Sequence, residues 1–307
     1  MTDNDETMTD NDGDNLRVDA IQTLIQTLHN QYPKKGFSIS NKLQFVHTSD
    51  RGICILAKQS IIKDETLMTI PEKARLSFVK LVNSSKKMLT LRNKMKKNAP
   101  QRQKLQGYLE PEDFMLALQM MKALAKRSQV KDGTLKKLNA NDPDCIYIEQ
   151  AATWPTEEEM KEMSWFYWDL GKVKRIWNVS TLWFSFFELK NHVQFIFNTV
   201  LHPFFRANNP KDYIDPTLPS NIALGDLKVN EKKALLNTYI YAISLAWSRS
   251  HQDGTGKPDM IPLVELFNGT SEKMNDRVPG KKQKRSAINV DIARGYWPFS
   301  KFCMMCA

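Results

Sequence analysis

Residues 43–71 read LQFVHTSDRGICILAKQSIIKDETLMTIP. Three short runs, LQFVHT, GICILA and ETLMTIP, are rich in β-branched residues and are bounded by the turn signals SDRG and KD, a pattern that predicts three strands. Asp50-Arg51-Gly52 suits a tight turn, because glycine tolerates a positive φ at no steric cost. Both flanks of this segment change period. Upstream, Ile21, Leu24, Ile25 and Leu28 fall on one face of a helix predicted from Leu16 to Gln31, which Asp14 or Asn15 could cap and Pro33 and Gly36 would end. Downstream, the stretch 73–104 carries eleven basic residues and no acid, with Leu81, Met88, Leu91 and Met95 as an apolar stripe beneath them.

The long middle of the chain reads as helical. EPEDFMLALQMMKALAKRSQ places Glu112 and Asp113 in a first turn and Lys126 and Arg127 in a last turn, matching the helix macrodipole. LNANDPDCIYIEQAATWP reads as a loop, and aromatic helical stretches follow around Trp165 to Trp168 and Trp183 to Phe205. NEKKALLNTYIYAISLAWSRS is again helical, with Leu236, Tyr239, Ile240, Ile243 and Trp247 at helical spacing. A polar loop, HQDGTGKPD, then leads into MIPLVELFNGTSEKMNDRV, an apolar run that breaks at Asn268-Gly269. Strands at both ends of a helical block predict an α+β fold, and no repeat of 20–50 residues is present.

Composition narrows the function classes. The 307 residues are 41% hydrophobic and 10% aromatic, which suits a globular chain with a buried core. The net charge of +10 is uneven, since MTDNDETMTDNDGD at residues 1–14 holds six acids and no base and reads as a disordered tail. That tail has neither the basic start nor the apolar core of a signal peptide. TLWFSFFELKNHVQFIFNTVLHPFF is interrupted by Glu188, Lys190, Asn191 and His192, so it reads as a core helix and not a membrane span. Four cysteines without a repeated close spacing suit a reducing compartment, and the expectation is an intracellular protein, cytoplasmic or nuclear.

Several motifs fail on their own chemistry. DGTGK lacks the upstream glycine of a phosphate loop, where His251 stands, and has Pro258 in place of the magnesium-binding Ser or Thr. Cys303-Met-Met-Cys306 has ligand spacing but lacks a second pair to close a zinc site, so no metal is expected. KKQKR at 281–285 reads equally as an import signal or a loop. The basic segment 73–104 suits phosphate contact or simply a solvated helical face, and because no aromatics interleave its lysines for base stacking, nucleic acid is not the favoured partner.

Two separated segments, SDRGICILAKQSIIKDETLMTIPEKARLS and AISLAWSRSHQDGTGKPDMIPLVELFNGTSE, together resemble the two halves of a SET-domain protein methyltransferase. The branch they resemble is that of the Rubisco large-subunit methyltransferase and the actin-histidine methyltransferase. The matching residues are Gly52, Ala57, Ile61, Glu65, Leu67, Ile70 and Pro71, then Ser248, Arg249, Pro262, Leu263 and Asn268. The resemblance implies a SET-like β-fold split by a helical insertion. Its segments would be a tail at 1–14, an N-terminal helix and first half at 15–76, an insertion at 77–230 and a second half at 231–307. It implies S-adenosylmethionine as cofactor and a lysine or histidine of a protein as target. Gly52, Arg249 and Asn268 become the cofactor-site residues, with Glu265 beside them as a structural member.

Four positions depart from the family pattern. Asp50 replaces the first glycine of the turn, Glu265 an aspartate and Gly269 a histidine. The segment expected to supply a channel tyrosine is not matched by Tyr296, so no catalytic residue is assigned, and the second half reads as truncated. These departures make a catalytically inactive SET-like module that binds protein or nucleic acid the alternative.

Overall fold

The computed structural model describes residues 11–33, 36–48, 52–62, 65–98, 109–133, 135, 143–164, 166–169, 171, 175, 180–214, 227–252 and 257–266. The chain mixes helix and strand, as the α+β reading predicts. It forms two compact units, one from residues 1–74, 140–153 and 262–307 and the other from 75–139 and 154–261.

In the first unit, helix α1 (Asn11–Gln31) begins inside the acidic run, earlier than hydrophobic periodicity alone indicates. Acid-rich sequence suits a helix start, where the macrodipole is positive. Ile21, Leu24 and Leu28 are buried as expected, while Ile25 sits at the edge of the stripe. Strand β1 (Ser38–Ile39) precedes β2 (Leu43–Thr48) and β3 (Gly52–Ala57), which form an antiparallel hairpin running from Leu43 opposite Ala57 to Thr48 opposite Gly52. The third expected strand shrinks to β4 (Met68–Thr69), antiparallel to β1, with Ile39 opposite Met68. A 3-10 turn at Glu72–Ala74 follows.

The second unit opens with β5 (Leu76–Ser77), α2 (Phe78–Ser84) and α3 (Lys86–Asn98). Ser77 caps α2 by accepting a hydrogen bond from the Val79 amide at 3.2 Å. Leu81, Met88, Leu91 and Met95 are buried, so the stripe under the basic run is core. Helix α4 (Pro111–Lys131) is the hub, with Pro111 in its first turn, where the missing N–H costs nothing, and Gly133 at φ +76° just past its end. Met115, Leu116, Ala117, Leu118, Met120 and Met121 are fully buried along it, so α4 is apolar nearly all round.

The segment expected as a loop contains a helix of the first unit, α5 (Pro143–Thr153), which packs on α1. The Arg17 guanidinium on α1 donates to the Thr153 carbonyl at 3.4 Å. Helix α6 (Glu157–Met163) carries a capping box, in which the Thr156 hydroxyl accepts from the Glu159 amide at 3.2 Å. Residues 166–168 form a turn and not the expected helix. Helix α7 (Ser180–Ile196) widens into a π turn at Phe197–Leu201 before α8 (His202–Arg206). Pro203 accounts for this, because its ring cannot sit against the preceding turn of a regular α-helix. A 3-10 turn at Pro210–Asp212 precedes helix α9 (Leu227–Arg249), which packs along α4. Its buried face is Leu235, Tyr239, Ala242, Ile243 and Ala246, rotated from the expected face so that Leu236 and Trp247 are only half-buried. Strands β6 (His251–Gln252) and β7 (Pro258–Met260) complete a β5–β7–β6 antiparallel sheet. A 3-10 turn at Val264–Leu266 returns the chain to the first unit. Among the described residues no helix is long and apolar enough to cross a membrane.

Candidate functional site

Gly52 opens β3 as an extended residue opposite Thr48, while Asp50 and Arg51 of the expected turn lie outside the described residues. Behind it, Ile53 and Cys54 are buried. The loop that follows is closed by Glu65. Its carboxylate accepts from the Ile62 amide at 2.9 Å and from the Lys42 ammonium at 2.8 Å, and the Glu65 amide donates to the Ile62 carbonyl at 3.1 Å. The bond from Lys42, then that from Ile62, hold the Glu65 carboxyl below the usual carboxylate range. The glutamate of the first motif is thus a turn clamp here. It delivers Leu67 and Ile70 to the core, both almost wholly buried.

The second motif has a distinctive backbone. Leu263 is fully buried and takes φ +66°, the left-handed region, which costs a β-carbon-bearing residue about 1–2 kcal/mol. Two short bonds lock the bend, Val264 N–H to the Pro262 carbonyl at 2.8 Å and Leu266 N–H to the Leu263 carbonyl at 3.1 Å. The bend aims Val264–Leu266 onto β3, against which it packs. Val264, Glu265 and Leu266 are all buried. Strain of this kind persists only where the surroundings over-determine it, and such sites cluster at functional positions.

Arg249 is the last residue of α9, half-buried and engaged by a neighbour, at a helix end whose negative dipole suits a cation. Gly52 and Glu265 thus belong to the first unit and Arg249 to the second, while Asn268 lies outside the described residues. Gly269, Tyr296, the 281–285 run and the Cys303–Cys306 pair lie outside them too. Among the described residues no cluster of His, Cys, Asp and Glu could hold a metal, and Cys54 and Cys145 are not in disulfides.

Sequence reasoning missed the polar groups inside the helical unit. Arg75, counted only as one of eleven cations, lies 3.8 Å from Asp259 as a buried ion pair beside the β5–β7 pairing. Asp113 accepts the Glu110 amide at 2.8 Å, yet burial pushes its carboxyl up to about 7, even though the residue keeps partial exposure. Burial also pushes His192 down to about 4 and raises the Tyr239 phenol. The only signal in the sequence was the position of His192 within an aromatic run.

Asp113 makes a pH prediction. Its unfolded carboxyl loses its proton near the ordinary value of 3.8, whereas the folded one holds it to about 7. Between those values the native state binds more protons, so this group's contribution to stability is present below about pH 4 and is lost as pH rises through 7. Asp113→Asn keeps an acceptor for Glu110 and removes the titration. Thermal melts from pH 4 to 8 should show the wild type losing Tm relative to the variant as pH rises. Parallel curves would reject the assignment.

No family model matches the chain, and no curated protein matches it in sequence. Among solved structures, it is similar to the crystal structure of the SET domain of LSMT bound to lysine and AdoHcy. The TM-score is 0.49 and the identity 12%, and the match covers 83% of this chain and 44% of that one.

Proposed function

We propose that this chain is a SET-like, S-adenosylmethionine-dependent protein methyltransferase that modifies a lysine or histidine side chain. The observation that carries the reading is the packing of Val264–Leu266 on β3. Strand β3 and the Val264–Leu266 turn, with residues 58–263 between them, meet in one unit, and the turn arrives through the strained bend at Leu263.

The residue types fit the cofactor. Gly52 offers backbone without a β-carbon, which permits close approach. The Arg249 guanidinium has the planar fork that pairs with an amino-acid carboxylate. The Asn268 amide combines donors and an acceptor on a short stem. Glu265 is buried in the turn that packs on β3, three residues before Asn268 in the sequence. The cofactor, when bound, supplies a methyl group on a sulfonium. The protein's own part is to orient the target nitrogen and to place dipoles around a centre that loses positive charge.

A second reading, a SET-like module that binds protein without transferring methyl groups, is favoured by Gly269, which stands where the family pattern has histidine. Calorimetry with S-adenosylmethionine tests the cofactor claim of the first reading, with Arg249→Ala as the variant that should weaken binding.

A further inference from the structure

We propose that the lysine face of α3 binds the phosphate backbone of duplex nucleic acid, independently of base sequence. This does not rest on the methyltransferase reading. Met88, Leu91 and Met95 turn one side of α3 into the core of its unit, where the helix meets α2, α4 and the π turn. Lys86, Lys87, Lys94, Lys96 and Lys97 occupy the rest of the circumference, and all five are exposed. Arg92 is committed, its Nε donating to Glu112 at 3.1 Å. Among the described residues none of the five lysines has an acidic partner.

This arrangement is unfavourable for the folded chain alone. Five like charges share a 13-residue helix, and Lys86 and Lys87 stand in its first turn, at the positive end of the macrodipole, with no acid there. From Lys86 to Lys97 the face extends about 16 Å at 1.5 Å per residue, along which a duplex presents a phosphate charge about every 1.7 Å.

Other occupants fit less well. Protein interfaces are depleted in lysine and anchored by aromatic, Met and Arg side chains, whereas the large apolar residue exposed on this face is Leu89 alone among the described residues. A membrane surface would need the apolar side of α3, which the core already covers. A single strand would need stacking aromatics, and α3 has none. Lysines are point charges without the bidentate fork that reads base edges, so the contact is to the backbone.

Fluorescence anisotropy with a labelled 20-base-pair duplex of mixed sequence tests this. With three or four phosphates neutralised, affinity should fall roughly 40- to 150-fold between 50 and 200 mM salt. The triple variant K87Q/K94Q/K97Q should bind at least about tenfold more weakly at 50 mM, with a salt slope shallower by roughly two to three. It should melt no lower than wild type, because it loses like-charge repulsion. The single variant K94Q should reduce the slope by about one. No binding at 50 mM salt, or variants that bind as wild type does, would overturn the proposal. So would equal affinity for a polyglutamate chain or for phosphatidylserine vesicles at the same ionic strength.

Discussion

Asp259→Ala is expected to destabilise the protein by about 3–5 kcal/mol, the cost of stranding a buried charge after its partner is removed. Arg75 and Asp259 are each more than nine-tenths buried, and their charged atoms approach to 3.8 Å. They also flank the place where the three short strands of the second unit join. Ser77, two residues after Arg75, pairs with Asp259, and Asp259 in turn pairs with His251 on β6. Strands of two or three residues bring few ladder bonds of their own, so the charges matter to the sheet. The double variant R75L/D259L should recover much of the loss, since neither position then leaves an unpaired charge buried beside this sheet. Urea melts of the two single variants and the double variant measure both effects. A loss below about 1 kcal/mol for Asp259→Ala would show that the pair does not hold this sheet together.

Phe114→Ala should cost a comparable amount, about 3–5 kcal/mol, through lost burial and the cavity left behind. Phe114 is 1% exposed and occupies the middle of an aromatic column. Its ring meets His192 edge-on at 5.3 Å and stacks on Tyr239 at 6.4 Å, and Tyr239 stacks on Phe197 at 5.6 Å. This column joins α4, α7, α9 and the π turn, so a hole at its centre loosens four segments together. Phe114→Leu leaves a smaller void and should cost less. Equal losses for the two variants in denaturant melts would show that the site collapses around the change, against the packing described.

Elements whose local chemistry and packing agree were legible in the sequence. The β2–β3 hairpin followed from β-branched runs, α4 from its charged ends, and the buried side of α2–α3 from Leu81, Met88, Leu91 and Met95. Helix α5 was not, because Asn139, Asn141 and Asp142 read as loop composition. Yet Asp142-Pro143 is also a helix-start signal, and the pairing of α5 with α1 decides between the two. The turn at 166–168 answers to packing of aromatics that periodicity treats as interchangeable, with Phe166 edge-on to Trp247 at 6.3 Å. The Arg75–Asp259 pair had no local signature at all, since its members are separated by almost the whole second unit.

The candidate site divides along the same line. Gly52, Glu65 and Glu265 were singled out as members of motifs. The left-handed Leu263 and the packing of Val264–Leu266 on β3 are tertiary facts, fixed by contacts between distant segments. Arg249 was found by its place beside Ser248 in the second motif. Its helix-end position also suits an ordinary macrodipole cation, so binding must decide between the two roles.

That decision is a single titration. Isothermal calorimetry of the full chain with S-adenosylmethionine should show binding at one site per chain. Arg249→Ala should weaken it by about ten- to a hundredfold, the loss expected when a charge-assisted pair to a carboxylate is removed. Absence of heat with the folded wild-type chain would contradict the cofactor assignment, and with it the methyltransferase reading.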